Sequence, residues 1–229
     1  MQKYNLVILP GWGGSHKTWR DFVKLIAEHF DKVKVIDLPC FGDCPCPSTA
    51  WGVEEYAEYA RAEIEKLHFE NLALFGHSFG GRIITKFLSI YNAKEYGIKA
   101  VILTGTPLTM EKMSLRKITG VLMAKIGKGA FSILPKSIFQ SSQDFFRKIV
   151  YTIIGEWDYY KTNKMRKTFT HIVSENLETY LDKIRVPTLI VWGENDTITP
   201  SGIAIKIQKL IVNSKLIIIE NATHKLPYD

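Results

Sequence analysis

Residues 72–81 read LALFGHSFGG, and this stretch decides the fold. Its apolar start, Leu72–Phe75, predicts a short buried strand, and a helical pattern begins at its last glycine. A G-x-S-x-G motif between a strand and a helix is typical of a nucleophile elbow, in which a serine hydroxyl projects from a strained turn. Gly76 and Gly80 fit that turn, because it brings neighbouring backbone too close for larger side chains. The motif therefore predicts Ser78 as a nucleophile.

Short apolar runs alternate with helical patterns on both sides of this motif. The predicted strands are Asn5–Leu9, Val33–Leu38, Leu72–Phe75, Ala100–Leu103, Thr188–Trp192 and Leu216–Ile219, and the predicted helices are Thr18–Phe30, Val53–Leu67, Gly81–Tyr91 and Ser201–Leu210. Continuously apolar strands are typical of parallel sheets that are covered on both faces. The alternation predicts an α/β fold with a doubly wound, mostly parallel sheet.

Residues 107–176 interrupt the alternation with a succession of amphipathic helical stretches. We interpret this segment as a helical lid inserted into a core formed by residues 1–106 and 177–229. The lid holds twelve Lys and Arg residues against five Asp and Glu, whereas the rest of the chain holds eighteen of each. All of the net charge of +7 therefore falls in the segment that is expected to cover the carboxyl edge of the sheet.

Composition excludes several classes of protein. A hydrophobic share of 46% is too high for a disordered chain, and the sequence has no internal repeat that would indicate a solenoid. No apolar run approaches the roughly 18 residues of a membrane span, and residues 1–10 lack the features of a signal peptide. We therefore expect a cytoplasmic protein without a transmembrane segment.

A serine hydroxyl needs a base to remove its proton, and the base needs a third group to orient it. Among the six histidines, His224 follows the last predicted strand in the polar loop NATH, at the sheet edge where Ser78 also emerges. His77 adjoins Ser78 in sequence, but neighbouring side chains diverge in such a turn, so we expect it to provide packing or polar support. The order of the motifs predicts His224 as the base.

The predicted acid is Asp196, which lies in VWGENDTITP at residues 191–200. This loop also follows a predicted strand, and Pro200 is suited to start the next helix. Glu194 is the local competitor for the role. The structural alternative is an aspartate that forms an Asx turn or caps the helix.

An oxyanion hole requires two backbone N–H donors. Phe79 follows the nucleophile and supplies the first donor. The second is expected from the loop PGWGGS at residues 10–15, whose glycines allow close approach of the backbone. We predict the N–H of Trp12 as this donor, and a glycine-rich turn without a ligand is the alternative.

Five pieces in this order resemble the α/β-hydrolase superfamily. They are LPGWGGS at 9–15, IDLPCFGDCPCPS at 36–48, GHSFGG at 76–81, WGENDTITP at 192–200 and NATHKLP at 221–227. The nearest resemblance is to small carboxylesterases of the pimeloyl-[acyl-carrier protein] methyl ester esterase type. It implies a minimal α/β-hydrolase fold, a triad of Ser78, Asp196 and His224, a compact helical lid, and no metal or organic cofactor.

The chain departs from the pattern of that family at both ends and in two loops. Pro10 stands where the family usually has His, and Cys40 and Cys44 replace the usual Gly and Ser. The N-terminal hairpin and the final helix of the family are absent, which indicates either a minimal member or a truncated sequence.

Three cysteines, Cys40, Cys44 and Cys46, lie within seven residues. Their number is odd, and the C-x3-C-x-C spacing matches no common zinc pattern. We therefore expect small, partly buried thiols rather than a disulfide or a metal site.

The leading functional hypothesis is a serine hydrolase that cleaves carboxylic esters of short to medium acyl chains through an acyl-enzyme on Ser78. Acyl transfer and C–C bond hydrolysis could use the same triad, and a non-catalytic binding protein on this fold is the alternative of another class. The basic lid suggests an acidic acyl-carrier protein or another anionic surface as a partner. It carries no recognised nucleic-acid-binding motif, so no nucleic acid is expected.

Overall fold

The computed structural model of the chain describes residues 3–108 and 163–228, and in these ranges strands alternate with helices. The strands are β1 (Asn5–Leu9), β2 (Val33–Val35), β3 (Leu72–His77), β4 (Ile98–Thr104), β5 (Thr188–Gly193) and β6 (Ser214–Ile219). The helices are α1 (Arg20–Ile26), α2 (Val53–Leu67), α3 (Phe79–Ile90), α4 (Asn163–Ser174) and α5 (Ser201–Leu210). None of these described helices is long and apolar enough to cross a membrane.

The six strands form one sheet in the order β2-β1-β3-β4-β5-β6, and every neighbouring pair is parallel. This confirms the predicted fold class. The strand order reverses at β1 and β3, the point where doubly wound sheets place their ligands. The carboxyl ends of all strands meet at one edge, so the loops after β1, β3, β5 and β6 are brought together there.

The predicted elements recur with small shifts in their ends. Both α2 and α5 have the predicted bounds, whereas the second strand ends at Val35 instead of Leu38. Ile36 still donates its N–H to Ile8 O at 3.0 Å, and the chain then turns away from β1 toward Pro39, which has no N–H to continue a ladder. Helix α3 begins two residues earlier than predicted, directly after Ser78.

The core lies on both faces of the central strands. Every residue of β3 is buried, and ten of the twelve residues of α3 are buried as well. On one face Phe75 packs in a cluster with Trp19 and Phe22, and on the other face Gly76 lies against α3. The centre of the sheet is therefore a rigid base for the turn that follows β3.

The turn between β3 and α3 is packed at backbone distance. A Cβ on Gly76 would lie 2.7 Å from the Cα of Gly81, and a Cβ on Gly80 would overlap the carbonyl oxygen of Leu9. At both positions the added Cβ would come closer to backbone atoms than real Cβ atoms do. The requirement for glycine is thus steric at both positions. At Gly76 it follows from the contact of β3 with α3, and at Gly80 from the contact of α3 with the end of β1.

The predicted lid, residues 107–176, is only partly described, because residues 109–162 lie outside the described ranges. Its last part forms α4, which packs on the core with Met165 and Ile172 buried. The two sides of the segment are joined by a hydrogen bond of 3.0 Å from Leu177 N to Leu108 O. Its assignment as a lid stays a prediction.

The prediction for the cysteines was wrong, because Cys40 and Cys46 form a disulfide. The loop turns back on itself, with hydrogen bonds from Cys40 N to Cys44 O and from Cys44 N to Phe41 O, so the two Cα atoms are 4.3 Å apart. Cys44 is the free cysteine, and its Sγ lies 3.2 Å from the Tyr59 hydroxyl. Spacing along the chain did not reveal this reversal.

We expect Gly80→Ala to lower the free energy of unfolding by more than about 3 kcal/mol, because relief of the overlap with Leu9 O requires backbone to move. Gly202→Ala is the matched control, since Gly202 lies in α5 with open space around it and should gain roughly 0.5 to 1 kcal/mol of helix propensity. Urea unfolding followed by circular dichroism measures both. Equal stability of the two variants would contradict the steric account.

Candidate active site

Ser78 occupies a strained turn at the carboxyl end of β3. Its backbone has φ +50° and ψ −109°, a combination that side-chain-bearing residues rarely adopt. The turn is held because Ser78 N–H donates to Thr104 O at 2.8 Å and Ser78 O accepts from Gly81 N–H at 3.1 Å. Such strain concentrates at functional sites, and the geometry agrees with the nucleophile elbow that the motif predicts.

Asp196 and His224 form a buried pair at the same edge of the sheet. Each is 5% exposed, and His224 Nδ1 lies 2.8 Å from Asp196 Oδ2. The two residues meet because they follow β5 and β6, which are neighbouring parallel strands. The structure thus brings together the predicted base and the predicted acid.

Thr199 holds the carboxylate of Asp196 in place, a role that the sequence analysis missed. Its hydroxyl donates to Asp196 Oδ2 at 2.6 Å and lies 3.1 Å from His224 Nδ1. Its N–H donates to Asp196 Oδ1 at 2.7 Å, and the N–H of Ile198 donates to the same oxygen at 2.9 Å. The D-x-x-T-P pattern could have indicated this contact. The Asx turn weighed as an alternative is therefore present together with the contact to His224.

The electrostatics of the pair favour an ionised carboxylate. Burial raises the pKa of Asp196, but the hydrogen bond and charge of His224, with the hydrogen bonds of Thr199, outweigh burial and hold that pKa below its usual value. An ionised Asp196 can orient His224 and stabilise a positive charge on its imidazole.

Glu194, the competing acid, lies elsewhere in the same loop. Its side chain is exposed, and its Oε2 accepts a hydrogen bond of 3.1 Å from Asn221 N–H. That contact ties the loop after β5 to the loop that carries His224. Of the two acids in this loop, Asp196 is the one in contact with the imidazole.

His224 and Ser78 converge on the loop after β4. A Cβ on Gly105 would lie 2.8 Å from His224 Cε1, so only a residue without a side chain leaves room for the imidazole. Thr104, the preceding residue, accepts the hydrogen bond from Ser78 N–H. Within the described ranges no hydrogen bond joins Ser78 Oγ to His224, and such bonds are often long until substrate binds.

His77 lies behind His224 and is buried, with the ring centroids 5.0 Å apart. It also packs 6.0 Å from Trp19, and its Nδ1 has no partner among the described residues. Burial, followed by the charge of His224, lowers the pKa of His77 to about 3. A neutral His77 at ordinary pH avoids repulsion when His224 takes up a proton.

The loop after β1 places Trp12 next to the start of α3. Gly14 N–H donates to Gly11 O at 2.9 Å, and Gly13 has φ +80°, as the third residue of a type II turn requires. The Trp12 ring packs against Phe79 at 5.4 Å. Phe79 is the first residue of α3, so its N–H has no acceptor within the helix. The two predicted oxyanion donors therefore belong to residues in contact.

Aromatic rings surround Trp12 and form a wall that includes Phe79, the residue after Ser78. Phe41, Phe79 and Phe169 contact the indole edge to face, with centroid distances of 4.9, 5.4 and 5.2 Å. Tyr56 extends the cluster behind Phe79 at 4.9 Å. A wall of this kind suits an apolar group of a small molecule.

One group of described residues has a spacing that could hold a metal ion. His16, Asp37 and Asp43 offer ligand atoms within 4.8 Å of one another. However, His16 Nδ1 already contacts Asp37 Oδ2 at 2.5 Å, and Lys17 pairs with Asp43 at 2.7 Å. These contacts engage all three residues of the group, and none of the three is a predicted triad residue.

Comparison with known proteins agrees with this geometry. A family model described as "alpha/beta hydrolase fold" matches residues 4–129 and 134–229. AB hydrolase superfamily protein YisY of Bacillus subtilis is 24% identical over 242 residues, covering 98% of this chain and 86% of the relative. Pimeloyl-[acyl-carrier protein] methyl ester esterase of Wigglesworthia glossinidia brevipalpis is 26% identical over 238 residues, covering 96% and 86%.

Solved structures share the fold. An esterase from Exiguobacterium antarcticum superposes with a TM-score of 0.70 at 19% identity, covering 100% of this chain and 87% of that one. At this identity the likeness shows that the two chains share the fold.

We expect His77→Phe to weaken the dependence of stability on pH. With a folded pKa of about 3 against 6.5 unfolded, only the unfolded state binds this proton at pH 4.5, so wild-type stability falls as pH drops below 6.5. Protonation of His77 in the unfolded state therefore lowers the free energy of unfolding by about 2 to 3 kcal/mol between pH 7.5 and pH 4.5. Phe cannot take up this proton, so the variant should lack this loss.

Urea unfolding at both pH values measures the difference. His29→Gln is the control, since His29 is exposed and solvated in both states. An equal loss of stability in His77→Phe and wild type would show that His77 is not held neutral.

Proposed function

Because this chain belongs to the alpha/beta hydrolase fold family, we propose that it is a serine hydrolase that cleaves carboxylic esters with short to medium acyl chains. The observation that carries the proposal is the buried hydrogen bond of 2.8 Å between His224 Nδ1 and Asp196 Oδ2, at the sheet edge where Ser78 occupies its strained turn. Relatives named as esterase and lipase support an ester as the substrate.

The proposed reaction passes through an acyl-enzyme. His224 Nε2 takes the proton of Ser78 Oγ as that oxygen attacks the ester carbonyl carbon, and Asp196 stabilises the resulting imidazolium. The N–H groups of Trp12 and Phe79 hold the oxyanion. His224 then gives its proton to the leaving alcohol as the C–O bond breaks. Water, deprotonated by His224, attacks the acyl-enzyme and releases the acid, and the proton returns to Ser78.

The aromatic wall supports an apolar acyl or alcohol group of moderate size. Trp12 and Phe169 are only half-buried, so their ring surfaces are open to contact with a substrate. Each aliphatic carbon buried against them contributes about 0.8 kcal/mol, which favours medium over very short chains. The reaction needs no metal or organic cofactor.

The buried polar groups favour an enzyme over a binding protein. Removal of Asp196 and His224 from water is costly, and a module that only binds ligand would gain nothing from that cost. Acyl transfer and C–C bond hydrolysis remain the alternatives with the same triad. The esterase and lipase relatives favour hydrolysis of esters over both.

We expect Ser78→Ala and His224→Ala to reduce kcat by roughly 10⁴ to 10⁶ and Asp196→Asn by about 10⁴. Alanine removes the nucleophile or the base, and the amide of Asn cannot stabilise the imidazolium. Turnover of p-nitrophenyl esters from acetate to decanoate measures the loss and the preferred chain length.

Glu194→Gln is the matched control for the acid, because it alters an exposed carboxyl group of the same loop. It should keep most of the wild-type kcat. Near wild-type turnover in Ser78→Ala would refute the mechanism, and a mild Asp196→Asn with a severe Glu194→Gln would move the acid to Glu194.

The basic segment supports a further proposal, that an acidic acyl-carrier protein presents the acyl group. Arg166 and Lys167 are exposed on α4, whereas Arg147 and Lys148 lie outside the described ranges. One relative is named for a substrate carried by an acyl-carrier protein. A solvated helical face without a partner is the alternative.

We expect the double variant Arg166→Glu/Lys167→Glu to lower kcat/KM for a carrier-bound acyl ester and to leave a small neutral ester almost unchanged. Exposed charges are screened beyond about 8 Å at physiological ionic strength, so the effect should weaken as salt rises. The double variant Lys24→Glu/Lys209→Glu changes the same charge on α1 and α5 and should have no effect. If both substrates respond alike, the basic segment is not a docking surface.

A further inference from the structure

Arg82 is a buried cation in helix α3. It lies in α3, one turn beyond Ser78, and is 2% exposed. Its guanidinium donates four hydrogen bonds, all to backbone carbonyl oxygens. The acceptors are Pro107 O at 2.7 Å, Leu108 O at 3.1 Å, Ile172 O at 2.6 Å and Glu175 O at 2.8 Å.

These acceptors come from two stretches of chain that are far apart in sequence. Pro107 and Leu108 follow β4, whereas Ile172 and Glu175 stand at the C-terminal end of α4. Carbonyls at a helix C-terminus have no partner within the helix, and the helix dipole is negative there. A guanidinium with several donors satisfies both needs at once, so Arg82 acts as a charged C-cap for α4.

The charge of Arg82 persists despite its burial. Desolvation lowers the pKa of the guanidinium to about 10, partly opposed by the charge of Glu175, so the group stays protonated at neutral pH. Its Nε has no partner among the described residues. A buried cation of this kind is costly compared with an apolar side chain, which indicates a requirement beyond packing.

Helix α4, whose C-terminal end Arg82 binds, also contacts the loop that contains Trp12. Phe169 of α4 packs edge to face on the Trp12 ring at a centroid distance of 5.2 Å. The neighbouring Thr168 is buried, and its Oγ1 accepts a hydrogen bond of 3.1 Å from Trp51 N–H. The position of α4 therefore determines where Phe169 contacts the Trp12 ring.

We infer that Arg82 is a positioning residue, which holds α4 so that Phe169 fixes Trp12 and aligns the N–H of Trp12 with the oxyanion. The inference rests on the proposed function, because it assigns Arg82 to the same site. Its chain of contacts runs from the guanidinium through the end of α4 to the aromatic ring, and it includes no contact of Arg82 with substrate.

Lys86 provides a matched control on the same face of α3. It lies one turn beyond Arg82 and is 7% exposed. Its ammonium contacts side chains only, those of Glu54 and Glu175 at 3.0 Å and of Tyr180 at 3.3 Å. Lys86→Met therefore removes a buried cation from α3 without releasing a carbonyl of α4.

The experiment compares Arg82→Met, Arg82→Lys, Phe169→Leu and Lys86→Met with the wild type, by p-nitrophenyl acetate kinetics and by hydrogen exchange of the α4 amides. An oxyanion donor acts in the transition state, so its displacement should lower kcat and leave KM nearly unchanged. Arg82→Met should lose roughly tenfold to a hundredfold in kcat, as expected for a misplacement of about 1 Å. Arg82→Lys, which keeps the charge but not the fork of donors, should retain an intermediate kcat.

Phe169→Leu tests the same chain of contacts without disturbing a buried charge, so it decides the question if Arg82→Met does not fold. It should lower kcat with little change in KM, and Lys86→Met should match the wild type. Exchange of the α4 amides should be faster in Arg82→Met and unchanged in Lys86→Met.

The inference is overturned if Phe169→Leu keeps the wild-type kcat, or if Arg82→Met and Lys86→Met lose kcat equally. A wild-type chain without esterase activity would instead refute the proposed function. In that case hydrogen exchange still decides whether Arg82 holds α4. Unchanged protection of the α4 amides in Arg82→Met would show that Arg82 does not hold the helix.

Discussion

The candidate site depends on one steric constraint, the close approach of α3 to the end of β1. A Cβ at Gly80 would overlap Leu9 O, so the helix can seat there only with glycine at its first turn. This seating gives Ser78 its positive φ and directs the N-terminus of α3 toward the loop of Trp12. Strain at Ser78 costs of order 1 to 3 kcal/mol, which the buried packing of β3 and α3 offsets.

The candidate site also depends on the charge states of its buried groups. Asp196 is buried yet ionised, because Thr199, Ile198 and His224 all donate hydrogen bonds to its carboxylate. His77 is buried and neutral beside His224. Environments that separate the charge states of neighbouring groups in this way are typical of sites that move protons. The family supports a hydrolase, and these charge states support the serine mechanism that we propose for it.

The described chain on either side of residues 109–162 is held to α3 by buried cations as well as by apolar packing. Arg82 binds carbonyls on both sides of this stretch, while Lys86 joins Glu54 and Glu175 one turn further along α3. Both cations project from the helix that begins at Ser78.

The sequence by itself determined the alternation of strands and helices, the strained turn at Ser78 and the order of Ser78, Asp196 and His224, because these follow from local periodicity and from motifs that are contiguous in the chain. Only the tertiary structure decided the disulfide of Cys40 and Cys46, the contact of Thr199 with His224 and the hydrogen bonds of Arg82 to carbonyls at the end of α4. Each of these contacts requires the chain to turn back or to meet a distant segment. A local pattern of residue types does not indicate which residues meet in this way.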